Sequence, residues 1–451
     1  MKLQSINPYN SEIIFEIEEY SDHMIEEILS NVAKAYQDWK KRSFSYRSDC
    51  MYKVAAILEE RSYEFAKTIT KEMGKPIKES LAEVKKCAWV SRYYADNAEQ
   101  QLSPEYITTE ALESRIEYDS IGTVLGIMPW NFPYWQVFRY LTPNLMSGNT
   151  AILKHASNVQ QCALQIEEVF REAGFPENVF RTIVISSSRV NKIIQNKNIK
   201  GITLTGSEEA GKTVAEESGR NIKKSVLELG GSNAFIILDD ASMEKTVETA
   251  VTARFMNGGQ SCIAAKRFLI HEKCANDFIF LFKKAISNLK VGDPMKETTD
   301  IGPLSSIKHA QEVERQVSES IIAGAVPEIP GKRNQAFFGP ALLLNVKPGM
   351  PVFDEEVFGP VAPIITFQSD EEAIQLSNAS NFGLGASICT ENRKRAESMI
   401  PLLEEGSVFI NELVKSDPRL PFGGIKNSGF GRELSIYGIR EFVNIKTIYI
   451  K

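Results

Sequence analysis
The stretch FMNGGQSCIA, Phe255 to Ala264, places Cys262 directly after Asn257-Gly258-Gly259-Gln260-Ser261. A thiol can attack a carbonyl carbon if its surroundings favour the thiolate, which a free cysteine holds to only roughly a few per cent at neutral pH. Cys50, Cys87, Cys162, Cys274 and Cys389 are scattered and read as buried structural thiols. The four histidines (His23, His155, His271, His309) show no ligand spacing, so neither a metal site nor a histidine base is expected. A second chemistry is suggested by GSEEAGKT, Gly206 to Thr213, which matches the phosphate-cradling pattern G-x-x-x-x-G-K-[ST]. FIILDD downstream could pass for its magnesium-binding strand, which would make the chain a nucleotide triphosphatase. Glu208 and Glu209 oppose that reading, because two carboxylates inside the loop repel a triphosphate. A glycine-opened helix N-terminus holding only a diphosphate, with Ser207 as hydroxyl donor, fits better.

The elements that must position these residues alternate. DHMIEEILSNVAKAYQDWK and SDCMYKVAAILEERSYEFAKTITKEMG have helical spacing, the second ending on Gly74. YITTEALESRIEYDSIGTVLGIM is β-branched and alternating, which predicts a hairpin around Glu110 to Glu113. TAILKHAS, VFRTIVI, KGITLTGS and KSVLELGGSNAFIIL read as strands separated by the helices VQQCALQIEEVFREAG and EEAGKTVAEESG. Further strands are expected at RFLIH, APIITF and SVFIN, giving an α/β fold with mainly parallel sheets. The tail NIKTIYIK is a lone alternating strand that needs a partner, and another subunit is one candidate. The net charge of −6 and the lack of a long basic block disfavour nucleic acid. No window of about 18 apolar residues predicts a membrane span, and MKLQSINPYNSEII carries no signal-peptide core. Cysteines without C-x-x-C pairs point to a reduced, cytoplasmic protein, and Ala264 in place of a second nearby cysteine argues against a disulfide at Cys262.

Five stretches, in order, carry a resemblance: MPWNFP (Met128 to Pro133), LELGGSN (Leu227 to Asn233), GQSC (Gly259 to Cys262), EEVFGP (Glu355 to Pro360) and PFGGIKNSGFGRE (Pro421 to Glu433). Together they closely resemble the NAD(P)-dependent aldehyde dehydrogenase superfamily, and with MPWNFPYWQVFR its bacterial succinate-semialdehyde dehydrogenase group. The resemblance implies an aldehyde dehydrogenase fold. Its Rossmann-like cofactor domain would span 1–102 and 121–229, its catalytic domain 230–431, and its β oligomerisation arm 103–120 and 432–451, in a homodimer or homotetramer. It implies that Cys262 is the nucleophile, forming a thiohemiacetal and then a thioester. Glu228 would be the general base, Asn131 with the Cys262 N–H the oxyanion donor, and Glu433 a second acid for proton relay or a structural partner. Glu228 in the base position favours water over coenzyme A as acceptor, and the three intact residues speak against a chemically dead binding protein.

The same resemblance assigns cofactor contacts to Pro129, Trp130, Lys154, Ala156, Ser157, Gly206, Ser207, Gly211, Leu229, Glu356 and Phe358. Ser157 stands where many NAD-preferring relatives carry Glu. Serine can donate to a 2′-phosphate and Lys154 can pair with it, so NADP is favoured over NAD. If YWQVFRYLTP is a helix, Trp135 and Arg139 share a face. Aromatic residues with one arginine suit a short aliphatic aldehyde ending in a carboxylate, probed by Trp135, Arg139 and Ser261. Arg419 is a weaker candidate and Arg267 weaker still, while a helix salt bridge is the alternative role for Arg139.

Overall fold
A computed structural model describes residues 2–451. Thr123–Met128 is apolar and buried at every residue, as a central strand covered on both faces must be. It pairs in parallel with Thr150–His155 on one side and Ile199–Thr205 on the other. Phe180–Thr182 extends the sheet beyond the former, and Lys224–Glu228 beyond the latter. Gly429–Phe430 closes that edge as an antiparallel strand. The chain builds outward from Thr123–Met128 to one side and then returns to build the other. Such a reversal opens a crevice at the carboxyl ends of the strands. Those ends lead directly into Pro129, Ala156, Gly206 and Leu229.

A second sheet has seven strands, in the order Val326–Pro330, Ala341–Leu344, Val361–Phe367, Ala265–His271, Asn233–Ile237, Ala386–Cys389, Val408–Ile410. Only Val326–Pro330 runs antiparallel to its neighbour. Cys262 lies just before the first residue of Ala265–His271. The two sheets therefore present the LELGG and GQSC stretches from different layers.

The tail Val443–Ile450 finds the partner it needs within its own chain, pairing antiparallel with Glu113–Ser120 over eight registered positions, so another subunit is not required for it. Glu105–Tyr106 completes this small sheet, so a hairpin forms as expected, between Glu105–Tyr106 and Glu113–Ser120. The long helical pattern of residues 48–74 breaks at Arg61, giving Phe44–Glu60 and Ser62–Met73, the latter stopped by Gly74 at φ 83°. Several elements were not foreseen, among them the strands Val326–Pro330, Ala341–Leu344 and Ala386–Cys389 of the second sheet and a hairpin of Lys2–Ile6 and Ile13–Glu18. The inward positions of Lys2–Ile6 are Leu3 and Ser5, so the apolar alternation is interrupted by a serine. Ser5 is buried because its Oγ bonds Glu72 Oε1 at 2.5 Å.

Candidate active site
The conformation of the Asn257-Gly258-Gly259 run explains its composition. All three residues are left-handed, with φ of 53°, 61° and 76°. Glycine adopts that region without cost and asparagine tolerates it. A Cβ on Gly259 would sit 2.3 Å from the Gly359 carbonyl oxygen, so only glycine fits. The turn is fastened from several sides. Glu79 accepts the Asn257 N–H at 2.6 Å, and Gln260 Oε1 accepts the Ser305 N–H at 2.9 Å. Lys266 Nζ donates to the carbonyls of Ser261 (2.8 Å) and Cys262 (2.9 Å) and to Glu356 Oε1 (2.8 Å). Lys266 and Glu79 were missed by sequence reasoning. Lys266 sits four residues after the cysteine beside Arg267, and that pair of charges alone does not single it out.

The Asn131 loop meets this turn. Asn131 Nδ2 donates to the Gln260 carbonyl at 3.1 Å, and Asn257 Nδ2 donates to the Asn131 carbonyl at 2.9 Å. An amide NH₂ has two protons, so Asn131 keeps one for a further acceptor. His155 holds the loop from beneath. Its Nδ1 accepts the Ala156 N–H at 2.9 Å, so Nε2 carries the proton and donates to the Pro133 carbonyl at 2.8 Å. Burial pulls its pKa down to about 4, which keeps the ring neutral. Glu83 then caps the following helix, Trp135–Met146, by accepting the N–H groups of Tyr134 and Trp135.

Cys262 is the shared wall of two cavities. One, of about 700 Å³, is mainly apolar, with Phe132, Trp135, Ile263 and Phe422 around Cys262, and takes in Arg139 and Ser261 as well. The other, of about 620 Å³, brings Pro129, Trp130 and Asn131 together with Gly206, Ser207 and Leu229. Glu356 and Phe358 complete it. Trp130, Phe358 and His309 pack edge to face there, the rings of Trp130 and Phe358 5.9 Å apart. Glu356 accepts the Gly231 N–H at 3.0 Å. A Cβ on Gly231 would lie 2.8 Å from the Cys262 carbonyl oxygen and one on Gly230 2.4 Å from the Glu356 carboxylate, which explains the glycine pair after Leu229.

Burial pushes the Cys262 thiol up to about 11, against the opposing pull of Arg139 and Lys266. Glu228 is buried at the end of Lys224–Glu228, and its carboxyl is raised well above the usual range by burial and then by Glu433. Its Oε1 has no hydrogen-bond partner among the described residues. Arg139 Nε lies 2.6 Å from Glu433 Oε2, both side chains almost wholly buried. The salt-bridge alternative for Arg139 is therefore met, while the residue still lines the apolar cavity.

Several assigned residues line neither cavity: Glu228, Lys154, Ala156 and Ser157, which sit at or just past the carboxyl ends of their strands, and Arg419, Arg267 and Gly211. Arg419 is exposed and forked onto Asp417 at 2.7 and 2.9 Å, so its charge is already taken. Arg267 is buried but spends its donors on the carbonyls of Ser232, Leu376 and Ser377. Gly211 lies beneath Leu229, where a Cβ would meet Leu229 Cδ1 at 2.4 Å, so its role is close packing rather than contact.

The phosphate loop reading fails on geometry. Lys212 pairs with Glu208 at 2.8 Å and Glu209 at 3.2 Å on the exposed face of Glu208–Arg220, away from any cradle. Ser207 caps that helix by accepting the Ala210 N–H, which leaves its own proton free. Lys154 is 6% exposed and has no carboxylate within ion-pair distance among the described residues. Ala156 and the exposed Ser157 follow it at the strand's carboxyl end. A free buried ammonium, free hydroxyls and a helix N-terminus suit a phosphorylated dinucleotide.

Residues 1–448 match the aldehyde dehydrogenase family. The chain is 46% identical, over the whole of both chains, to a probable succinate-semialdehyde dehydrogenase [NADP(+)] of Synechocystis sp.. It is 41% identical, again over both whole chains, to succinate-semialdehyde dehydrogenase [NADP(+)] 1 of Mycobacterium tuberculosis. Among solved structures, succinic semialdehyde dehydrogenase from Streptococcus pyogenes in complex with NADP+ superposes with a TM-score of 0.97 at 37% identity, covering 99% of each chain. The chain belongs to the aldehyde dehydrogenase family.

Proposed function
We propose that the protein oxidises succinate semialdehyde to succinate, with NADP+ as preferred oxidant and water as acyl acceptor. The observation that carries this is Cys262 standing between an apolar cavity with cationic groups and a second cavity lined by aromatic and hydroxyl groups. The Cys262 thiol gives up its proton to solvent, the thiolate attacks the aldehyde carbon, and the spare Asn131 amide proton, with the Cys262 N–H, holds the developing oxyanion. Bound NADP+ supplies the hydride acceptor. A thioester on Cys262 remains, and Glu228 takes a proton from the water that hydrolyses it. Glu228 must be ionised to do so, and burial and then Glu433 raise its carboxyl well above the usual range. Trp135, Arg139 and Ser261 face the substrate. Lys154, Ala156 and Ser157 would meet the adenosine end, Gly206 and Ser207 the diphosphate, and Glu356 and Phe358 the nicotinamide end.

The sheet of Val443–Ile450, Glu113–Ser120 and Glu105–Tyr106 leaves Tyr106, Ile445, Tyr449 and Ile450 exposed. This supports assembly into a homodimer or homotetramer through that sheet. Six unpaired cysteines support a reducing, cytoplasmic setting, and among the described residues no helix is long and apolar enough to cross a membrane. The test is absorbance at the reduced-nicotinamide band, with succinate semialdehyde or butanal, NADP or NAD, and no coenzyme A. The highest kcat/KM is expected for succinate semialdehyde with NADP. A requirement for coenzyme A, or no reduction at all, would overturn the reading.

A further inference from the structure
We propose that Lys86 selects for an aldehyde bearing a distal carboxylate, its ammonium holding that carboxylate within the apolar cavity that Cys262 lines. This rests on the succinate semialdehyde reading and assigns the charge recognition to one residue.

Two cations reach that cavity, Lys86 and Arg139. Arg139 is already compensated, since Glu433 lies 2.6 Å from its Nε in a buried pair. Two carboxylates also line the wall, and neither neutralises Lys86. Glu83 is committed to Lys75 in a fully buried ion pair and to the N–H groups of Tyr134 and Trp135. Glu79 accepts the Asn257 N–H, and burial lifts its carboxyl to about 7, so its negative charge is weakened at neutral pH. Lys86 itself has no carboxylate within ion-pair distance among the described residues. Its Nζ bonds Ser416 Oγ at 2.9 Å and lies 4.3 Å from the Trp135 ring centroid.

A largely desolvated ammonium without a counter-ion is costly, and a bound carboxylate would relieve that cost. The strain is visible in its pKa, drawn down to about 8 by burial and then by Arg139, against the weaker pull of Cys87, Asp417 and Glu83. The Ser416 hydroxyl points the same way. It accepts from Lys86 Nζ and from Trp135 Nε1 at 3.1 Å, which occupies its lone pairs and leaves its proton for an acceptor. Lys86 and Ser416 thus offer adjacent N–H and O–H donors to one guest, and the Trp135 face fixes the ammonium between them.

The test compares wild type with Lys86→Met and Lys86→Arg. The readout is the ratio of kcat/KM for succinate semialdehyde over butanal, with NADP saturating and thermal unfolding checking the fold. For Lys86→Met the ratio is expected to fall roughly 30-fold or more, mostly through KM for succinate semialdehyde. Lys86→Arg keeps the charge and is expected to retain part of the preference. If wild type prefers succinate semialdehyde and Lys86→Met keeps that preference, Lys86 is not the selector and the proposal falls alone. If wild type shows no preference for the acid-bearing aldehyde, the substrate reading falls and this proposal with it.

Discussion
Cys262 and Cys274 are both raised to about 11 by burial, yet their surroundings have little in common. Cys274 opens the helix Glu272–Ser287, and its thiol donates to the carbonyls of His271 (3.3 Å) and Leu238 (3.6 Å) within an apolar cluster. The charges it senses are carboxylates, Asp239, Asp277 and Asp240, which hold the proton on. Cys262 sits beside two cations, Arg139 and Lys266, whose pull is opposed more weakly by Glu356 and Glu228, and faces open space on two sides. Burial alone therefore makes a thiol inert. Positive neighbours and room for two reactants separate a nucleophile from a packing residue.

The comparison is broken most sharply by removing each thiol. Cys262→Ala is expected to lower kcat by about 10⁴-fold or more, as loss of a nucleophile does, with thermal unfolding little changed. Cys274→Ala should keep kcat within about twofold and lose about 1 kcal/mol of stability through a small void. Initial rates and melting curves on both variants check this, and equal loss of activity would erase the distinction. Asn131→Ala removes the spare amide proton while leaving the thiol in place. A fall in kcat of about 10²–10³-fold is expected, since that is the usual cost of one oxyanion donor. A fall no larger than a few-fold would take Asn131 out of the chemistry.

Further from the sulfur, Ser157→Glu places a carboxylate at the adenosine end. The NADP-to-NAD ratio of kcat/KM is expected to drop about tenfold or more through repulsion of the 2′-phosphate. An unchanged ratio would refute the role given to Ser157. The test furthest from the chemistry is read in stability rather than rate and concerns Glu79, which fastens the cysteine turn. Its folded-state pKa is raised to about 7, above its ordinary value. The stability tied to it is therefore complete at pH below the ordinary carboxylate range and is lost as pH rises through about 7. The full change is on the order of 3 kcal/mol. Glu79→Gln should flatten that slope in denaturant titrations across this range, and an unchanged slope would place the titration elsewhere.

Much of the fold was legible because parallel strands buried on both faces read as short β-branched runs between amphipathic helices. The Ile199–Thr205 strand leading into Glu208–Arg220 is the clearest case. The N-terminal hairpin was not legible, since Ser5 occupies an inward position and is satisfied only by Glu72, far along the chain. The split at Arg61 left no glycine or proline to mark it. In the site, Cys262, Asn131 and Glu228 carried motif signals, and their glycine neighbours prove to be close-approach positions. Arg419 misled because a nearby Asp417, two residues away, claims its guanidinium. Lys86, Lys266 and Glu79 were invisible because their meaning arises from burial and from partners on other elements.

The central claim is that Cys262 carries the acyl group. The direct measurement is intact-protein and peptide mass spectrometry on Glu228→Gln, acid-quenched during turnover with NADP+ and succinate semialdehyde. The account predicts a succinyl adduct on the peptide containing Cys262, formed in step with one equivalent of reduced cofactor and slow to hydrolyse. Reduced cofactor without an adduct, or an adduct on any of the other five cysteines, would contradict it.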